Sequence, residues 1–354
     1  MTKNWKAHTK KAVRKTDANF YPEDLAPMRK CGDRNDEIRN RQTKEEIMKN
    51  HFVKKMDCVM LVLIFALLFL TVAEAAEPGN PVTGFSGKWV SEAELDTSGP
   101  SGEVGKTGIG ASLMVPLRLN DHSSLEFEFS VEQSSYDWSA TENIGFSNGR
   151  EPWETLSSAG MGLKYVRNWN QRWSGLAGAS LGAAWEKETS DALSYGAYIG
   201  AICRTGENLT WIIGAGVSLE PEKVRILPLV GVSWNQVGPG EYQPGFSASI
   251  GMPKTEIRYS FNEVLDVYCN AEMEAGIYRL EDDSPVSPSG LVEMEGFSTG
   301  LFADIRPMKP LQIAVGLIYL FNREWELQDK DGDEISTVEM ENAVGASIML
   351  NWTF

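Results

Sequence analysis

The sequence has 354 residues, with 49 acidic side chains against 33 basic ones and a formal net charge of −16. Residues 1–75 hold 15 of the bases and 10 of the acids, which leaves 18 bases against 39 acids downstream, a net of −21. A surface of that sign repels nucleic acid and anionic lipid heads, which argues against nucleic-acid partners.

Residues 1–47 are charged, show no sustained apolar period, and read as an upstream extension without structure of its own. Residues 48–75 read as a secretory signal peptide. Lys54 and Lys55 precede the apolar run CVMLVLIFALLFLTV of residues 58–72, and Ala73-Glu74-Ala75-Ala76 supplies a small-residue cleavage site. The run is shorter than the roughly 20 residues a membrane-spanning helix needs. An uncut signal anchor is the alternative. Cys58 stands at the start of the run rather than after it, so it is no lipoprotein acylation site.

From Glu77 onward no helical period is sustained. Segments of about ten residues alternate apolar and polar, separated by turn residues, a signature weak in each segment and strong in sum. In Leu125-Glu126-Phe127-Glu128-Phe129-Ser130-Val131-Glu132 the odd positions are apolar and the even ones polar, so opposite faces meet opposite surroundings. Fourteen strands are predicted, near 87–95, 105–119, 124–137, 157–168, 172–187, 194–205, 209–219, 225–236, 245–251, 254–261, 266–279, 291–305, 311–326 and 342–354. Residues 76–354 are thus expected to form an all-β fold, a single antiparallel transmembrane β-barrel of about 14 strands. Twelve is the alternative count, and Met252-Pro253 offers a way to join the ninth and tenth segments into one kinked strand. Pro116 and Pro228 are expected near strand ends, because proline cannot donate to the ladder.

Loop lengths supply an orientation. If the last strand descends to the periplasm, 138–156, 280–290 and 328–341 fall outside and are long. The segments 120–123, 168–171, 205–208, 262–265 and 306–310 fall inside and are short, while 237–244 falls inside without being short. Tyr165, Trp169 and Trp173 cluster at one inner turn, Trp138 and Trp153 flank the first long outer loop, and Trp352 sits near the inner end. Such aromatics suit a lipid interface, or else the core of a β-sandwich.

The final strand alternates cleanly: Val344, Ala346, Ile348, Leu350, Trp352 and Phe354 share one face. With its terminal Phe354 it resembles the closing strand that the barrel-assembly machinery recognises in bacterial outer-membrane proteins. Trp352 and Phe354 are therefore the expected assembly signal, with Phe354 at the periplasmic side. Outer-membrane lipid and that machinery are the expected partners.

Two stretches carry a family resemblance: MPKTEIRYSFNEVLDVYCNAEMEAGIYRL at Met252–Leu280 and GLIYLFNREWELQD at Gly316–Asp329. They resemble a domain-of-unknown-function family of predicted bacterial outer-membrane β-barrels. The resemblance implies the same architecture and transfers no catalytic motif.

Chemistry is sparse. His122, the one histidine after residue 75, falls in the turn Asn120-Asp121-His122-Ser123, which leaves no histidine for an outer-rim Ser/His pair. Catalysis is not expected, and neither is a cofactor. Asp329, Asp331 and Asp333 alternate as calcium ligands would, but Glu334 stands where an EF-hand needs glycine, so they form a weak metal candidate in an acidic outer loop. Cys203 and Cys269 are expected as unpaired, buried thiols, with a disulfide between them as the alternative that export would permit.

The polar faces say more. If Phe127 and Phe129 face lipid, Glu126, Glu128 and Glu132 face the lumen. The same reasoning turns Lys254, Glu256 and Arg258 inward, then Glu272 and Glu274, then Glu293 and Glu295, because a carboxylate in lipid is costly. Acidic rings favour cations, although the same carboxylates could merely pair inside a plugged lumen. Gly160, Gly162, Gly175, Gly178, Gly182, Gly196, Gly200, Gly214 and Gly216, joined by many alanines, leave room for a pore or for an inward loop. The expected function is a passive, weakly cation-preferring channel for small solutes. The alternative is a non-conducting barrel acting through its surface loops as adhesin, receptor or structural protein.

Overall fold

The computed structural model describes residues 79–96, 102–189, 191–236 and 244–354. The upstream extension and the signal peptide lie outside these residues. Strands follow one another as β1 (Val82–Asp96), β2 (Glu103–Asn120), β3 (Ser123–Ser139), β4 (Thr155–Asn168), β5 (Trp173–Trp185), β6 (Leu193–Thr205), β7 (Leu209–Glu220), β8 (Lys223–Asn235), β9 (Gly245–Gly251) and β10 (Lys254–Ser260). They continue as β11 (Leu265–Arg279), β12 (Leu291–Met308), β13 (Leu311–Gln328), β14 (Glu334–Met340) and β15 (Ala343–Thr353).

Neighbours in sequence pair antiparallel from β1 to β13, and the sheet closes where β1 pairs β15 from Val82↔Thr353 to Val90↔Gly345. Both β14 and β15 lie along the same edge of β13 in one register, with Arg323↔Met340 and Leu320↔Ala343. They are one strand interrupted at Glu341-Asn342, so the ring is a closed 14-strand antiparallel barrel with β14 as an added upper piece. Two expectations are corrected. Met252-Pro253 does not continue one strand into the next; β9 and β10 pair antiparallel across it, with Glu256↔Ser249. Much of 328–341 is strand rather than loop, because Glu334–Met340 extends the β13 ladder.

Alternation decides which side chains face out. Val344, Ile348, Leu350 and Trp352 are exposed, and so are Trp89, Ile199, Ile213, Ile226 (79%) and Leu317 (71%) around the ring. An apolar belt this continuous is far larger than the scattered exposed patches of soluble proteins and matches the lipid-facing band of a membrane barrel. Cys203 and Cys269 are unpaired as expected, but neither is buried.

The two halves of the barrel differ. On one side of the ring β9 and β10 are seven residues long, while β12 and β13 reach 18. Pairing between β11 and β10 stops at Lys254↔Glu272. Above it the tip of β11 meets β5 instead, at Arg279↔Trp185, with the Glu186 N–H donating to the Arg279 carbonyl at 2.8 Å. The tall strands therefore close on one another at the end that carries the 140–154 and 280–290 connections.

That closure encloses a core. Tyr136, Trp138, Trp153 and Trp325 pack with ring centroids 5.2–6.4 Å apart, joined by Leu95, Ile144, Leu156, Leu280, Val292 and Leu327. The Trp138 indole N–H donates to the Trp153 carbonyl at 2.6 Å, which pins the 140–154 connection inward. Trp138 and Trp153 are thus core residues rather than interface anchors, because the loop they flank folds into the barrel. By contrast, between Gly175 and Leu265 Ala192 is the one buried residue among those described. Truncating Trp153 to alanine should cost about 3–5 kcal/mol of folding stability, the usual range for a large buried aromatic, read by urea unfolding in detergent or lipid. A loss under about 1 kcal/mol would contradict a packed upper core.

Candidate functional site: the barrel lumen

Cross-strand pairs share a face, so the ladder registers show which of the residues expected in the lumen stand together. On β3, Glu126, Glu128 and Glu132 stand opposite Lys164, Gly162 and Ser158 of β4. Glu126 pairs with Lys164 at 3.0 Å, whereas Glu128 and Glu132 make no ion pair among the described residues. Lys254, Glu256 and Arg258 share one face of β10 with Glu272 of β11, and Lys254 stands 3.8 Å from Glu272. Arg258 bonds Glu256 at 2.9 Å, Asp266 at 3.0 Å and Asp304 at 2.7 Å, and its guanidinium lies 4.3 Å from the Tyr268 ring centre. Tyr268 stacks on Phe302 at 4.9 Å, while Arg306 and Gln312 complete the network on the Asp304 carboxylate. Asp266 and Asp304 are buried, and two guanidiniums offset the cost of placing two carboxylates there.

Glu274 of β11 meets Lys88 of β1. They line a cavity of about 390 Å³ beneath the aromatic core, together with Lys106, Glu132, Tyr136 and Arg323. Lys106 lies 5.8 Å over the Tyr136 ring.

Glu293 and Glu295 stand apart from this set. They pair with Ile277 and Ala275, so they occupy the face of the β11–β12 ladder opposite to Glu272 and Glu274. Four carboxylates all expected to face the lumen are divided between the two faces of this ladder. Arg225 of β8 reaches both Glu293 and, at 2.6 Å, Glu295, and Lys223 reaches Glu293 at 3.0 Å.

Alternation pointed to most of the acids but missed Lys88, Arg225 and Arg306, which pair with carboxylates, and Lys106 and Arg323, which share the cavity without an ion pair among the described residues. Lys88 and Lys106 sit in alternating strands and were open to the same parity reasoning. The others become visible only once the register is known.

On β5–β7 the lumen face is lined mainly by small residues. The Tyr198 ring lies across Gly178, where any Cβ would overlap it. This side offers a smooth wall, and the β10–β13 side offers charge. In the acidic loop, one carboxylate oxygen of Asp329 accepts the backbone N–H groups of Asp331 at 2.9 Å and Asp333 at 3.0 Å. The loop is organised around its own backbone, and among the described residues no cluster of three or more His, Cys, Asp or Glu is arranged to hold a metal. At the other end Trp352 is exposed, and the Phe354 N–H donates to the Pro81 carbonyl at 3.0 Å.

The matched family is described as a domain of unknown function (DUF6268), and the match covers residues 94–354. The chain belongs to that family. Among curated proteins none matches. Several solved barrels are similar in shape. The COG4313 outer membrane channel from Pseudomonas putida F1 is 8% identical at a TM-score of 0.46, covering 79% of this chain and 97% of its own. The Pseudomonas putida toluene transporter TodX is 9% identical at 0.39, covering 78% and 91%. The KdgM porin is 10% identical at 0.33, covering 77% and 99%. Scores this low carry no argument about activity.

Glu186, just beyond β5, sits in the seam between the tall strands. It accepts the Glu281 N–H at 3.0 Å, and Lys187 beside it pairs with Glu281. Burial pushes the Glu186 carboxyl up to about 7; Lys187 opposes the rise, and Glu188, Asp283 and Glu154 add to it. A raised folded value means the seam has its full contribution below the ordinary carboxylate range, about 4.5, and loses it as pH climbs through about 7. The melting temperature should therefore fall between pH 5 and pH 8 more steeply in the wild type than in Glu186→Gln. Equal slopes would remove Glu186 from the account.

Proposed function

We propose that this chain is an outer-membrane channel for small solutes, weakly cation-preferring, with Phe354 at the periplasmic rim and Trp352 and Phe354 read by the barrel-assembly machinery. The observation that carries this reading is the one-sided lumen. Along β5–β9 the outer face is apolar and exposed, the inner face is mostly glycine, serine and other small residues, and among the described residues almost none of its side chains is buried. A folded sheet accessible on both faces has the form of a pore wall, with lipid on one side and solution on the other.

The cation preference rests on Glu128 and Glu132. Most other lumen carboxylates are matched by Lys or Arg, so they contribute little net field. Two carboxylates on β3 without an ion pair supply a modest negative potential between low-dielectric walls, which favours cations over anions. Lys106 and Arg323, which share the cavity with Glu132 and also make no ion pair among the described residues, keep that preference weak.

A second reading has its own support. The aromatic core and the inward 140–154 connection close the tall half, which suits a barrel acting through its surface loops. Planar-bilayer recording from folded protein separates the two. The channel reading expects discrete conductance, a reversal potential showing cation selectivity in a salt gradient, and a permeability ratio drawn towards unity in Glu128→Gln/Glu132→Gln. Folded protein that inserts and passes no current would leave the surface-loop reading standing.

A further inference from the structure

The aromatic core fills the tall half of the loop-rich end, which leaves a solute crossing the lumen less open space there. The ladder shows where the wall is incomplete. On its β10 side, β11 is paired up to Glu272 and tied once more by the Met273 N–H to the Pro253 carbonyl at 3.2 Å. Pairing resumes only at Arg279, now with β5. Between those points the edge of β11 has no strand partner among the described residues.

A hairpin covers this interruption. Pairing of β8 with β9 ends at Gly231↔Gly251, while β7 and β8 stay paired up to Glu220↔Lys223. Their upper halves therefore project past the short β9–β10 hairpin. The inner face of the projection lies on the face of β12 that points away from the aromatic core. Arg225 meets Glu293 and Glu295 there, Lys223 adds a bond to Glu293, and Glu220 holds the Arg225 Nε at 2.7 Å. The turn between the two strands reaches Gly332 in the β13–β14 connection, where an added Cβ would crowd the Glu222 side chain.

We infer that small hydrophilic solutes leave the lumen sideways at the loop-rich end, along the unpaired edge of β11 beneath the β7–β8 hairpin, and that the bonds from Arg225 to Glu293 and Glu295 latch that exit. This rests on the channel reading above. Glu293 is buried but Glu295 is half in water, so the latch has a wet side from which solvent replaces the bonds as they part. The hairpin carries no buried side chain, which leaves the latch as its main tie to the tall wall.

The test compares single-channel currents of the full-length protein with those of two variants. Arg225→Glu sets like charges against Glu293 and Glu295, and conductance or open time should rise severalfold. The second variant, Arg225→Cys/Glu295→Cys, is made in a background with Cys31, Cys58, Cys203 and Cys269 all replaced by serine. Oxidation should reduce its current at least tenfold, and a thiol reductant should restore it. The side exit is overturned if Arg225→Glu conducts as the wild type does, whether or not the disulfide forms. It is also overturned if a disulfide confirmed by mass leaves the current unchanged. Either result keeps the channel reading, provided current flows. If wild type, Arg225→Glu and the reduced double cysteine variant all insert folded and pass nothing, the channel reading itself fails.

Discussion

Closure of the hydrogen-bonded ring governs everything else in this molecule. An apolar surrounding offers no partner to a free N–H or C=O, so a sheet that presents an apolar belt outward must leave no edge at that depth. The β1–β15 ladder meets that demand, and it fixes the register of every strand between. Once the register is fixed, each inward side chain has an assigned neighbour, and the interior becomes a question of which neighbours fill space and which leave it.

The answer differs around the ring. On the β11–β15 and β1–β3 arc, large and charged side chains face one another at distances that let them pack and pair. Aromatic rings close the loop-rich end, and two arginines hold two buried carboxylates near the other. On the β5–β9 arc glycine and serine make up most of the inward face, the alanines share the outward face with Ile199 and Ile213, and almost no described side chain is buried. Small residues in a barrel are often explained by curvature alone. Here they coincide with an arc where almost no side chain is buried, which ties them to open space.

Much of the architecture was legible in the sequence because period-two alternation is a direct imprint of a two-faced sheet. All fourteen predicted segments overlap strands, from 87–95 inside β1 to 342–354 on β15. What escaped was cross-strand register. A shift of one residue exchanges the faces of a strand, and no local pattern reports it. Glu293 and Glu295 look like Glu272 and Glu274 in sequence, yet they pair with Ile277 and Ala275 and so face the other way. Bulges add to this. The steps at Val90/Ala93 in β1 and near Asn322 in β13, where φ is 50°, each switch parity within a strand. The inward fold of 140–154 was hidden for a similar reason, since Trp138 and Trp153 carry the same composition as an interface belt.

The short strands β9 and β10 carry a consequence for the bilayer itself. Seven residues at about 3.3 Å each, tilted by roughly 45°, climb only about 16 Å. The apolar band of a typical membrane barrel is about 25 Å tall. On that side the remaining height falls to the upper halves of β7 and β8, whose outer face carries Leu219, Val224 and Ile226 exposed above the short hairpin. The top of the apolar belt on this flank is therefore set by an overhanging layer rather than by the two short strands, and the wall is double there where elsewhere it is single.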